Sequence, residues 1–426
     1  MDLPEKPPRA QPAAKQPWLR TLVGLALAGA TGTALAALAA GPSPAAAPKA
    51  EAPAASLPPA GPAPTASPAR RAAPEGESLE AILGSALLDS RQQRYVTVGA
   101  DGSRTPLTLD PELQRTADRL LQLYRAPLAE LVAIDPATGR LLAVARGVGP
   151  EPDGQAIAAE ATYPAASVFK LVTTAALLDR GVPADEAVCY HGGKHRLRAR
   201  LLADDARHDR RCVSLAQAVA HSSNVAIAKL AERNLDQVLL RSWASRFLFD
   251  APLPLESEAE RSRALVPADP FAFASTAAGF GQVTLSPLHG AAIAAAIAND
   301  GTLAPLQIVD GRPTGQPRRI LSPKLARELT AMMELAVSEG TAHKAFRSRA
   351  ARALEAAGKT GSLSAHQPFR DYSWFVGFAP ALSPRIAVAA LVVNGLKWRV
   401  HASTLAEATM QAYLRPPRPQ KAQARR

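Results

Sequence analysis

Ser167 and Lys170 stand three residues apart, with Val168 and Phe169 between them. On a helix that spacing brings a hydroxyl and an amine to the same face. Tyr163-Pro164-Ala165-Ala166 before the pair, and the apolar run Leu171 to Leu177 after it, mark a helix start. Unpaired N–H groups at such a start favour negative charge developing near the serine oxygen. Apolar neighbours lower a lysine pKa, and a neutral amine can take the serine proton. The pair is a candidate nucleophile and general base, although an isolated Ser-x-x-Lys is also what a capping serine and a surface lysine look like. Two further strings raise it above that reading. In Ser222-Ser223-Asn224 a hydroxyl brought close to Lys170 could relay a proton to a leaving group, and the carboxamide could hold a substrate amide. In Lys359-Thr360-Gly361-Ser362 a lysine and two hydroxyls beside a glycine allow close approach to a carboxylate. Each of the three strings occurs once, in this order.

These residues need elements to position them. Leu79, Ile82, Leu83 and Leu87 follow helical spacing, and Tyr95 to Val98 alternates into a hairpin at Ala100-Asp101-Gly102-Ser103. Asp110-Pro111-Glu112-Leu113 is a capped helix start. Leu131 to Ile134 and Leu141 to Val144 read as two apolar strands joined by a turn, and Tyr372 to Phe378 with Ile386 to Val393 as a second pair. Between the pairs lie mostly helical patterns, including Val213 to Leu230 around Ser222 and an Ala-rich one from Pro287 to Ala298. Strands at both ends closing on a helical middle imply an α+β domain with a largely antiparallel sheet.

The chain has 426 residues, of which 38 are proline, crowded into the first 75 residues and the last dozen. That leaves one globular stretch, 76–414, with a basic tail at 415–426. Lys6, Arg9, Lys15 and Arg20 precede Thr21 to Ala40, a run of 20 residues without a charge. As a helix the run would be about 30 Å long, enough to span a bilayer. Its flank predicts a cytoplasmic segment 1–20, a signal anchor at 21–40 and an exported body. The small residues Ala37 to Ala40 would equally suit a signal-peptidase site. Residues 41–75, nearly all Ala, Pro, Ser and Gly, read as a disordered linker. The formal net charge of +12 comes with no recognition motif, so a nucleic-acid partner is not expected; anionic wall polymer or lipid headgroups fit the charge. Cys189, His191 and His195 lack an acceptable metal-ligand set, and Gly279-Phe280-Gly281 lacks the strand–helix context of a dinucleotide loop. No metal or cofactor is expected.

On the three strings, the chain resembles the penicillin-binding protein transpeptidases. The similarity runs from about Thr105 to Met410 and extends to Leu107 to Gln114, Gly279 to Gln282 with Ser286-Pro287-Leu288, Ala296 to Asn299, Glu339-Gly340-Thr341 and Trp374 to Gly377. It implies the penicillin-binding/β-lactamase-like fold, with helices on both sides of the sheet and a helical subdomain. It also implies Ser167 as nucleophile, Lys170 as general base, Ser222 and Asn224 as proton relay and substrate holder, and Lys359, Thr360, Gly361 and Ser362 as the carboxylate site. Backbone N–H groups of Ser167 and Ser362 would form the oxyanion hole. The activity implied is crosslinking of peptidoglycan stem peptides through a serine acyl-enzyme, with β-lactams as inhibitors, at the bacterial inner membrane with the catalytic domain periplasmic.

A D,D-carboxypeptidase or a β-lactamase is the alternative, and a non-catalytic β-lactam sensor a more distant one. No Glu-x-x-Leu-Asn string follows Asn224 to supply the class A β-lactamase glutamate. Related transpeptidases carry an insertion with paired cysteines between the first two motifs. Cys189 and Cys212, the only cysteines here, are therefore expected as a disulfide in an oxidising compartment. The chain departs from the family in Ala166, where glycine often precedes the nucleophile, in Val225-Ala226-Ile227, where an aromatic residue often stands, and in having only a linker and a short helix–hairpin ahead of the domain.

Overall fold

In a computed structural model, residues 78–415 are described, except 100–101, 151, 159, 161, 194–196 and 314. The segments expected at 1–20, 21–40 and 41–75, and the basic tail after Arg415, lie outside the described residues. Among the described residues no helix is long and apolar enough to cross a membrane.

Five antiparallel strands form the central sheet, in the order Ala357–His366, Phe369–Ala379, Ile386–Asn394, Leu128–Ile134 and Leu141–Val148. The two ends of the domain meet where Leu391 pairs with Glu130 and Ala389 with Val132. Because side chains alternate across a strand, the sheet serves two cores. Leu128, Val132, Trp374, Val376 and Leu391 join one, and Leu131, Phe375, Val388 and Val392 the other.

The Ala-rich helix Pro287–Ala298 lies flat against the first face. A Cβ added at Gly290 would come within 3.2 Å of Ala389 Cβ and Val376 Cγ2, so small residues set that close approach. Helices Pro111–Tyr124 and Ala402–Leu414 cover the second face, the former capped by Asp110 with proline in its first turn, as the sequence predicts. Helices Lys170–Asp179, Leu215–Ala220, Asn224–Asn234 and Gln237–Arg246 build the helical part beside the sheet.

Three expectations change. Leu87 does not continue the first helix, which ends at Gly84; it opens a short strand, Leu87–Asp89, that pairs with Arg94–Val98. The single helical pattern from Val213 to Leu230 is two helices, and Val213 belongs to the strand Arg211–Ser214. The break falls at Ser222, whose φ of 55° no helix accommodates. Lys359-Thr360-Gly361 does not merely precede the C-terminal strand pair; it lies inside a third strand, at the edge of the sheet.

Candidate active site

Ala166–Phe169 forms one 3₁₀ turn and Lys170–Asp179 continues it as an α-helix. Every residue from Lys170 to Leu178 is buried, as a helix apolar on all sides must be. Ser167 alone among Ala165 to Lys170 is only half-buried, so the hydroxyl stands where the core opens. Lys170 Nζ lies 2.7 Å from Ser167 Oγ, 2.8 Å from Asn224 Oδ1 and 2.6 Å from the Ala278 carbonyl oxygen. Complete burial, with the nearby Lys359 charge adding to it, holds its pKa well below the ordinary lysine value of 10.5. A neutral amine has two N–H groups for Asn224 and Ala278 and a lone pair for the Ser167 hydroxyl.

The Ala278 carbonyl reaches the lysine because Gly279 follows it at φ +90°. A Cβ there would fall 2.4 Å from the Ala166 carbonyl oxygen, so only glycine lets this segment lie against the turn that carries Ser167. Ala166 itself sits at φ 47°, the left-handed region that glycine occupies without strain.

Asn224 opens the helix Asn224–Asn234, capped by Ser223, and presents its carboxamide to Lys170. The hydrogen bond of Ser222 goes to the other lysine: Lys359 Nζ donates to Ser222 Oγ at 3.0 Å and to the Thr360 carbonyl at 2.9 Å. The hydroxyl anticipated beside Lys170 is thus engaged by Lys359. Burial lowers the Lys359 pKa to about 7. Along the edge strand Lys359 and Gly361 are buried, Thr360 is half-buried and Ser362 exposed. A Cβ on Gly361 would press within 3.2 Å of Val168 Cγ2 and Trp374 Cβ, so glycine lets the strand close on the turn that carries Ser167. The three motifs therefore form a ring: Lys170 to Asn224, Ser222 to Lys359, and Gly361 to Val168.

Thr341 is a residue whose position the sequence did not reveal beyond its place in Glu339-Gly340-Thr341. Its amide donates to the Ala220 carbonyl at 3.1 Å, and its hydroxyl accepts from Thr360 Oγ1 at 2.5 Å. It thereby joins the end of the helix before Ser222 to the edge strand. Lys229 is a second. It is fully buried and bonded to Asp209, Asp204 and the Cys189 carbonyl, and its sequence signal was a lone charge inside Val225 to Leu230. Cys189 and Cys212 face each other across paired strands and form a disulfide. Among the described residues no group of His, Cys, Asp or Glu is arranged to hold a metal ion.

This geometry has counterparts. Residues 130–413 match the family model for the penicillin binding protein transpeptidase domain. The peptidoglycan D,D-transpeptidase PbpA of Mycobacterium tuberculosis strain H37Rv is 30% identical over 345 residues, covering 69% of this chain and 68% of that protein. A probable peptidoglycan D,D-transpeptidase FtsI of Caulobacter vibrioides is 28% identical over 288 residues, covering 63% of this chain and 48% of that one. The crystal structure of PBPA from M. tuberculosis aligns with a TM-score of 0.59 at 28% identity, over 73% of this chain and 82% of that one. Its penicillin G acyl-enzyme complex aligns with a TM-score of 0.57 at 27% identity, over 73% and 80%. Sequence, fold and the meeting of the three motifs lead to one conclusion: the chain belongs to the penicillin-binding protein transpeptidase family.

Proposed function

We propose that this protein crosslinks peptidoglycan stem peptides as a D,D-transpeptidase, with Ser167 as its nucleophile and Lys170 as its base. The observation that carries the reading is the buried Lys170 amine, 2.7 Å from Ser167 Oγ and held on its other sides by Asn224 and Ala278. Ser167 Oγ attacks the carbonyl carbon between the two terminal D-alanines while its proton passes to Lys170. The backbone N–H groups of Ser167 and Ser362 hold the oxyanion. The C–N bond then breaks, the leaving amine takes a proton through Ser222, and the peptide remains as an ester on Ser167. An amine from a second stem peptide attacks that ester, forms the crosslink and frees the serine. Asn224 holds the donor backbone, and Lys359 with Thr360 and Ser362 holds its terminal carboxylate, where Gly361 permits close approach. A β-lactam takes the same course as far as the ester.

The uncharged run Thr21 to Ala40 supports an anchor that keeps the domain, 76–414, at the inner membrane on its periplasmic side, with 41–75 as tether.

The test is a fluorescent penicillin applied to the wild type and to Ser167→Ala, with the adduct located by mass spectrometry. Labelling confined to Ser167 and lost in the variant is expected. An adduct on any other residue refutes the assignment.

A further inference from the structure

The central strand Leu128–Ile134 is buried at every position, and its one charged residue is Glu130, only 7% exposed. A carboxyl in an apolar sheet has to find partners. Arg146 stands directly opposite on the neighbouring strand, with its Nε 3.0 Å from Glu130 Oε1. The other partner comes from the segment that leads into the turn carrying Ser167. Tyr163, fully buried and four residues before Ser167, places its hydroxyl 2.5 Å from Glu130 Oε1 and 2.6 Å from the Glu160 carbonyl oxygen.

The count of protons decides what these contacts are. A tyrosine hydroxyl has one proton to donate, and a carbonyl oxygen can only accept. If Glu130 is ionised, two acceptors compete for that proton and one short oxygen–oxygen contact is left without a hydrogen. If Glu130 is protonated, it donates to Tyr163, Tyr163 donates to the Glu160 carbonyl, and Arg146 still donates to Glu130. Only the protonated carboxyl satisfies all three contacts. Burial raises the Glu130 pKa toward that form, with the Arg146 charge opposing it. The other titratable and charged groups around the cluster are Glu80, 3.7 Å from Arg146, Arg370, paired with the Glu160 side chain at 2.9 Å, and Tyr372, whose ring centre lies 6.5 Å from that of Tyr163.

Tyr163 opens a series of ties along its segment. Its backbone pairs with Leu285, Trp374 Nε1 donates to the Pro164 carbonyl at 2.9 Å, and the Ala165 amide donates to the Val283 carbonyl at 2.9 Å. Ala166 follows at φ 47°, so the turn that carries Ser167 begins where these ties end.

We infer that Glu130 is a positioning residue for Ser167, a neutral acid whose O–H, passed on through Tyr163, completes the ties that set the turn. It touches no substrate. The inference rests on Ser167 as the acylated residue and adds a buried carboxyl whose protonation governs the acylation step. As pH rises and Glu130 ionises, Tyr163 can serve Glu130 or Glu160 but not both, and the turn loosens.

The test uses the full chain, with melting temperatures to show that each variant is folded. Stopped-flow acylation by penicillin G, carried to saturation, separates the acylation step from binding across pH. In Glu130→Gln the amide donates to Tyr163 at every pH, as the neutral acid does. That variant is expected to match the wild type in mildly acid solution and to outpace it as pH rises. Lys170 and Lys359 titrate in both proteins, so the ratio of the two rates isolates Glu130. Tyr163→Phe is expected to slow the acylation step about tenfold, with binding little changed. The infrared difference between the wild type and Glu130→Gln in mildly acid solution should contain the C=O stretch of a protonated carboxyl, shifted in D₂O. A Glu130→Gln variant as slow as Tyr163→Phe, a rate ratio constant from acid to alkaline pH, or a spectrum without that band overturns the inference, while penicillin labelling of Ser167 leaves the transpeptidase reading standing. A wild type that penicillin labels elsewhere than Ser167 removes the functional reading and the positioning role with it, whatever the infrared band shows.

Discussion

Lys170 and Lys359 are both buried and both shifted toward neutrality, yet the proposed mechanism asks opposite things of them. Lys170 has to be neutral to accept the Ser167 proton, and its lowered pKa supplies the neutral form at lower pH than an ordinary lysine would. Lys359 has to be charged to hold a carboxylate, and with a pKa lowered to about 7 it loses that charge as pH rises through neutrality. The second-order rate of acylation reports the free enzyme. It should therefore rise as Lys170 deprotonates and fall above about pH 7 as Lys359 does. A β-lactam methyl ester has no carboxylate for Lys359 to hold, so its profile should lack the alkaline fall. Stopped-flow acylation of the acid and the ester across pH makes the comparison, and an ester that keeps the falling limb would remove Lys359 from the carboxylate site. Lys170→Ala should slow acylation about a thousandfold or more, the usual worth of a positioned base.

At the scale of elements, the nucleophile turn is held from two sides by glycines. Gly279→Ala would place a Cβ 2.4 Å from the Ala166 carbonyl oxygen and force an L side chain into φ +90°. A loss of about 2 kcal/mol or more of stability is expected, with slower acylation because the Ala278 carbonyl leaves Lys170. A thermal melt and an acylation time course on the same sample test both. The insertion gives a second expectation. Breaking the Cys189–Cys212 bond opens a loop spanning 23 residues, for which the chain-entropy model gives about 3 kcal/mol. Hydrogen exchange with and without reductant should show the loss concentrated between the two strands, and uniform exchange would show that the disulfide does not govern the insertion.

The elements differed in how openly the sequence displayed them. Asp110-Pro111 announced its helix because capping is local, and Leu131 to Ile134 and Ile386 to Val393 announced strands because both their faces are buried. The edge strand Ala357–His366 gave no such sign. Its central residues are Gly, Lys, Thr, Gly and Ser, with one face turned to the site, and it is a strand because ten residues pair with Phe369–Ala379. Likewise the motifs identified the candidate site, but the Lys359–Ser222 contact joins residues 137 positions apart, and no local pattern encodes that.

For the whole molecule, the central question is what becomes of the acyl group. Among the described residues, no carboxylate is hydrogen-bonded to Ser167, Lys170, Ser222, Asn224 or Lys359; their partners are one another, carbonyls and hydroxyls. A site without a carboxylate to activate water should keep its ester until an amine arrives. Hydrolysis of a β-lactam ester is expected to be far slower than its formation, and rapid multiple turnover of nitrocefin would favour the β-lactamase alternative. The anchor proposed at Thr21 to Ala40 leads to retention on membranes through salt and alkali washing. A soluble mature chain beginning near Gly41 would show cleavage instead.

The position of Lys359-Thr360-Gly361 on an outermost strand has one more consequence. An exposed strand edge is a template, open in principle to any extended chain, including the same strand of a second molecule. Here the turn that carries Ser167 packs on the face of that strand at Gly361, while Ser362, Ser364 and His366 continue as an exposed polar stretch. Among the described residues its outer edge pairs with no other strand of the sheet. A donor peptide that docks along it by main-chain pairing fills it, so the acceptor amine must approach Ser167 from elsewhere, and crosslinking becomes a reaction with two separate entrances.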